Sequence, residues 1–153
     1  MSLCVGPAPR PGIRYGRRPG AYGVVLCGRG LLLTVGPGGE VQLPGGGIDP
    51  GEGPAQALRR EALEETGWTV RPLRRIALRR RFDWIEEEAR HAEKVMHVLL
   101  ARALRRSGPP SEPGHMALVL PWEAAAARLA PPGEAALVAS LRSALARQPK
   151  RNT

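Results

Sequence analysis

The sequence predicts an α+β layered domain. Short β-type runs, one well-marked helix and further helical segments follow one another without the regular alternation of a doubly wound sheet. A length of 153 residues fits one such domain with a core of its own. An apolar fraction of 42% argues against intrinsic disorder.

Each element has its own signal. Residues 1–19 read as a flexible basic arm, because Gly6-Pro7-Ala8-Pro9-Arg10-Pro11-Gly12 clusters chain breakers ahead of Arg14, Tyr15, Arg17 and Arg18. A single ordered domain over 20–147 follows. Tyr22–Cys27 and Leu31–Val35 flank the turn Gly28-Arg29-Gly30 as the arms of a hairpin, and Val41-Gln42-Leu43 alternates as a third strand. Pro44–Gly53 is too glycine-rich for regular structure. Pro54–Thr66 is a helix: Pro54 suits its first position, Gly67 the left-handed residue past its end, and Ala55, Leu58 and Ala62 share one face. Val70–Trp84 is extended, broken at Pro72, and carries Arg74, Arg75, Arg79, Arg80 and Arg81. Ile85–Glu93 is an acidic connection, Val95–Ala103 a strand, Ser107–Gly114 a loop and Met116–Leu120 another strand. Trp122–Leu129 and Glu134–Ala146 are helical, and 148–153 is a basic tail.

Composition limits the partners. The formal charge of +9 points to an anion (nucleotide, nucleic acid or membrane surface) without choosing among them. Only Lys94 and Lys150 of the 23 cations are lysines, which makes part of the charge compositional. Apolar runs such as Val95–Ala101 fall far short of the roughly 20 residues that span a bilayer. No basic-then-apolar leader opens the chain, and Cys4 and Cys27 cannot form a disulfide framework. A cytoplasmic protein with reduced thiols is expected.

One stretch carries chemistry. On a helix over 54–66, Glu61, Glu64 and Glu65 fall at i, i+3 and i+4 and share a face, where like charges repel. Arg60 shields one of them; three crowded hard oxygen donors suit Mg²⁺ or Mn²⁺. The preceding Gly45-Gly46-Gly47 lacks side chains, so a ligand can come close to its backbone. Outside this stretch, Arg81, Phe82 and Trp84 combine a cation with aromatics and are candidate substrate contacts; an exposed strand edge is the plainer reading. His91, His97 and His115 have no compact metal-ligand spacing.

The run Gly46-x5-Glu52-x7-Arg60-Glu61-Ala62-Leu63-Glu64-Glu65-Thr66-Gly67-Trp68 resembles the Nudix box, matching all seven of its fixed letters. A chance match has a probability on the order of 10⁻⁵ at this chain's composition. The one departure is Trp68, where the family usually has an aliphatic residue. The resemblance implies a Nudix-type α/β/α sandwich with a mixed central sheet, and a hydrolase that cleaves a pyrophosphate bond in a nucleoside diphosphate linked to another group. A (deoxy)nucleoside triphosphate is the default substrate. It implies Mg²⁺ or Mn²⁺ held by Glu61, Glu64, Glu65 and the Gly45 carbonyl, with Arg60 and Glu52 holding the carboxylates and Gly46 and Gly67 shaping the loop and helix end. The base is a box glutamate or a later acid, and Glu112 is the first choice among the latter. Many family members form homodimers, and the resemblance allows the same here. Two rivals stand beside this reading: a Nudix-fold regulator that binds nucleotide or RNA without turnover, and an RNA 5′-pyrophosphate-removing enzyme.

Overall fold

The computed structural model describes residues 2–147. Its sheet comprises eight strands: β1 (Ser2–Cys4), β2 (Gly16–Cys27), β3 (Gly30–Val35), β4 (Val41–Gln42), β5 (Gly45–Gly47), β6 (Trp68–Ile85), β7 (Arg90–Arg106) and β8 (Met116–Pro121). Three helices, α1 (Pro54–Thr66), α2 (Trp122–Arg128) and α3 (Pro132–Ala146), complete it. The main strand order is β1-β6-β7-β2-β3-β4; β5 adds to β2 and β8 to β3. β1–β6 and β2–β7 are parallel and the remaining pairs antiparallel, so the sheet is mixed. Among the described residues no helix is long and apolar enough to cross a membrane.

Alternation along β3 shows how the layers form. Leu31 and Leu33 enter a core with Val24, Leu43, Leu100 and Val138 of α3, whereas Leu32 between them enters a second core with Val25, Leu99 and Leu58 of α1. Successive strand residues point to opposite faces. Helices therefore cover both faces, and strand segments buried on both sides read as continuous apolar runs. This is the α+β sandwich that the sequence predicts.

Several boundaries differ from expectation. Residues 1–19, expected as an arm, enter the sheet twice: Ser2–Cys4 pairs with Leu78–Arg80, and Gly16–Pro19 pairs with Ala92–Val95 as the start of β2. Pro44–Gly53, expected to be irregular, contributes β5, since Gly45–Gly47 pairs through its backbone with Gly20–Tyr22. β6 passes through Pro72, because the register shifts between Pro72 and Arg74. Bulges are where a strand accommodates the missing proline N–H. The acidic connection shrinks to a 3-10 turn at Glu86–Glu88, after which β7 starts at Arg90. The expected tail, 148–153, lies outside the described residues.

Helix α1 begins and ends as predicted. Pro54 opens it, and Gly67 closes it at φ 74°, donating its N–H to the Leu63 carbonyl at 2.9 Å. A β-carbon on Gly67 would stand 1.9 Å from the Gly108 carbonyl oxygen. Gly67→Ala is expected to lose at least the 1–2 kcal/mol that a left-handed backbone costs an ordinary residue, roughly, plus the collision. Urea denaturation checks this; an unchanged midpoint would refute it.

Candidate active site

The site is built from β5 and α1. Pairing of β5 with β2 lays the glycine segment against the helix. A β-carbon on Gly46 would lie 2.6 Å from the Glu61 carboxyl carbon. One on Gly45, whose φ is 150°, would lie 2.2 Å from the Ala21 carbonyl oxygen. Gly46 thus leaves the room that the Glu61 carboxylate fills, and Gly45 lets the strand close on β2.

Arg60 sits among the acids. Its Nε and Nη2 donate to the two oxygens of Glu52, both at 2.9 Å, and Nη2 also donates to the Gly47 carbonyl at 2.9 Å. Its Nη1 donates to Glu61 at 3.0 Å and to Glu64 at 3.4 Å. The hydrogen bonds from Arg60 hold the Glu52 carboxyl below the usual carboxylate range, and they raise the guanidinium in turn. Charge-assisted, two-pronged contacts of this kind are the strong ones.

Glu65 is set apart. It falls on the buried side of α1 with Leu58 and Ala62 and is 6% exposed. One oxygen accepts the Gly45 N–H at 2.8 Å; the other lies 3.3 Å from His115 Nδ1, which is hydrogen-bonded to the Thr34 hydroxyl at 3.1 Å. Burial pushes the Glu65 carboxyl up to about 8; the Gly45 N–H opposes this, and Glu61, Glu112 and Glu64 add to it. Burial likewise raises Glu61, against Arg60.

Glu112 is brought to the site by its loop, as its N–H and that of Ser111 both donate to the Glu64 carbonyl, at 2.8 and 2.9 Å. Its charge raises both Glu61 and Glu65. Of the predicted substrate contacts, Arg81 lines a cavity of about 570 Å³ with Tyr22, Arg79, Lys94, Met96 and Glu134. Phe82, the next residue, points to the other face of β6 and packs edge-on against Tyr15. Trp84 stacks edge-on against His91 and is 50% exposed. Neither aromatic joins the cavity. A smaller cavity of about 120 Å³ shares Tyr22, Lys94 and Met96 with the larger one and is walled by Gly46 and Gly47. The smaller cavity thus ends at Gly46, whose missing side chain leaves room for the Glu61 carboxylate.

Sequence reasoning missed His115 as a partner of Glu65, and it missed Glu134 and Tyr22 as cavity residues. The Pro113-Gly114 turn just before His115 was the available signal for the first. Nothing local marks Glu134, which reaches the site from α3 and accepts the Leu43 N–H at 3.2 Å.

Among the described residues, no three acid, histidine or cysteine side chains converge as a ready metal cluster. Glu61 and Glu64 are turned onto Arg60, and Glu65 onto Gly45 and His115. The donor chemistry nonetheless fits a hard divalent cation: the donors are oxygens, and burial and mutual repulsion leave Glu61 and Glu65 short of positive charge.

Comparison with known proteins agrees with this geometry. The family model of the NUDIX domain matches residues 16–148. An RNA pyrophosphohydrolase of Brucella ovis is 44% identical over 70 residues, covering 41% of this chain and 35% of that protein. The chain thus spans about a third of the length of the curated relatives it matches. A NUDIX hydrolase from Nitrosomonas europaea superimposes with a TM-score of 0.64 at 20% identity, covering 88% of this chain and 94% of that one. The ORF135 protein of E. coli gives 0.62 at 20% identity, covering 89% and 96%. At such identity the structural likeness speaks to the fold.

Glu134 gives a pH test. Burial pushes its carboxyl up from an ordinary value near 4.5 to about 7, against the Leu43 N–H, Arg79 and Arg81. Between these values the folded protein holds the extra proton on Glu134, so the stability that this group contributes falls as pH rises through the window and is flat beyond either end. Glu134 is expected to contribute about 3 kcal/mol of this loss, and Glu134→Gln to lose that share while keeping the part that the raised Glu65 carboxyl supplies. Denaturation of both proteins at either end of the window measures it; equal pH dependence would refute the assignment.

Proposed function

The chain belongs to the Nudix family, and from that premise we propose that it is a metal-dependent pyrophosphohydrolase acting on a nucleoside diphosphate linked to another group. One observation carries the reading: a carboxylate set ordered by Arg60 lies against a glycine strand that walls a small cavity with Tyr22 and Lys94, residues that also line the larger cavity. A pocket of this size suits a nucleoside. Arg18, Lys94 and the Gly46–Gly47 backbone line the way from it to Glu61 and would receive the phosphates.

Glu61, Glu64, Glu65 and the Gly45 carbonyl are the proposed ligands of Mg²⁺ or Mn²⁺. Bound there, such an ion neutralises phosphate oxygens and lowers the pKa of a water. Glu112 is the proposed base that takes the water's proton, since it is exposed and its loop is fastened to Glu64. Arg60 and Glu52 position the ligands, and His115 steadies Glu65. A nucleoside triphosphate meets the substrate description, free or as the 5′ end of an RNA. The likeness to the Brucella RNA pyrophosphohydrolase favours the second form. The complete carboxylate set speaks against a silent binder.

Release of phosphate or pyrophosphate should be screened over nucleoside triphosphates, nucleotide sugars, ADP-ribose, dinucleoside polyphosphates and 5′-triphosphorylated RNA, with and without Mg²⁺. Turnover is expected with Mg²⁺ alone. Glu64→Gln and Glu65→Gln are each expected to lower kcat by about 100-fold or more without unfolding the chain. Near wild-type rates in both variants would sink the metal assignment. Ligand-induced shifts in Tm without any turnover would establish the binder instead.

A further inference from the structure

Four exposed arginines, Arg71, Arg74, Arg102 and Arg105, lie on the adjacent strands β6 and β7. The strand register puts them on one face. Arg71 stands opposite Arg102, and Arg102 opposite Leu26 of β2, which packs into the core beneath α2 and α3. Arg74 stands opposite Leu100 of that same core. Arg105 stands opposite Thr69, two residues along from Arg71. All four therefore project on the side of the sheet away from α1.

This arrangement is unfavourable by itself. Like charges directly opposite one another on paired strands repel. Among the described residues, Arg18, Arg80, Arg81, Arg90 and Arg142 each have an acidic partner, whereas none of these four has one. The ribbon holds them close without an internal counter-charge, so an external anion with several charges is the natural complement.

We propose that this face of β6 and β7 binds the phosphate backbone of a nucleic acid. All four cations are arginines, whose planar forks match phosphate oxygens two at a time. A polyphosphate chain contacting several of them also gains by releasing its counterions. Two bulge residues beside them, Leu73 and Leu104, are 39% and 56% exposed and offer apolar contact to sugars and bases. Two leucines are too little for a membrane anchor, which takes a second strong signal. The patch shares its sheet face with the cavity, because Arg79 and Arg81 lie further along β6, about 25 Å away at strand spacing.

The test is binding of a labelled 20-mer oligonucleotide, as single-stranded RNA and as single-stranded DNA, lacking a 5′ polyphosphate and without divalent metal. The full chain is compared with Arg71→Gln/Arg74→Gln/Arg102→Gln/Arg105→Gln. A control, Arg10→Gln/Arg14→Gln/Arg128→Gln/Arg147→Gln, removes the same charge from exposed positions elsewhere. The patch variant is expected to bind at least about tenfold more weakly, with a log–log salt slope shallower by about 3, while the control stays within about threefold. The RNA and DNA arms tell which sugar is preferred. Equal losses in the two variants, or unchanged binding by the patch variant, would overturn the proposal. So would binding to phosphatidylserine vesicles in the absence of any oligonucleotide binding. The assay needs no turnover, so patch-dependent binding by a protein that hydrolyses nothing would uphold this surface while removing the hydrolase reading.

Discussion

The site depends on one guanidinium. Glu52, Glu61 and Glu64 are close enough to repel, and Arg60 is the single cation that touches all three. Its fork takes Glu52 with two nitrogens, a geometry that the point charge of a lysine could not reproduce. The same side chain reaches the Gly47 carbonyl, and Glu52 accepts the Asp49 N–H at 2.9 Å. Helix, glycine strand and connecting turn are thereby fastened through one residue. Gly46 completes the arrangement by having no side chain where the Glu61 carboxylate lies.

Around one arginine the chain makes two kinds of carboxylate. Glu52 is held ionised by Arg60, whereas Glu65, on the buried stripe of α1, is pushed upward by burial and by its acidic neighbours. The difference arises from helix geometry. Glu61 and Glu64 lie beside Arg60, but Glu65 follows Leu58 and Ala62 at i+7 and i+3 and turns inward. A backbone N–H and a histidine meet it there in place of a guanidinium. Unequal environments for neighbouring carboxyl groups are how a site assigns them different tasks.

Much of this was legible in the sequence because its determinants are local. Pro54 and Gly67 mark the ends of α1 through backbone preferences that need no tertiary context, and the acidic spacing follows from the helix. The hairpin about Gly28 was readable for the same reason. What stayed hidden depends on distant partners. Gly45–Gly47 forms a strand because β2 offers it backbone groups, though three glycines are poor strand formers. Ser2–Cys4 is a strand because β6 has an open edge beside it. His115 and Glu134 become site residues only when β8 and α3 fold back onto β3 and Leu43. The outward face of the acidic stripe was foreseen, but the inward turn of Glu65 was not, since a charged residue on an apolar stripe gives no sign of a buried partner.

The net charge of +9 is therefore an average over regions that behave independently. Apart from Arg60, the leading charges acting on Glu61 are Glu64 and Glu112, and those acting on Glu65 are Glu61, Glu112 and Glu64, with no arginine of the β6–β7 ribbon among them. The carboxylates belong to α1 on one face of the central sheet, and the ribbon arginines project from the other. Mobile ions screen exposed charges over about 8 Å at physiological salt. The ribbon arginines thus cannot serve to neutralise the carboxylates, and the carboxylates cannot relieve the ribbon. Among the described residues, an acidic cluster with a single internal cation and a basic face with no internal anion are separate electrostatic problems, which one small α+β sandwich carries on opposite sides of its sheet.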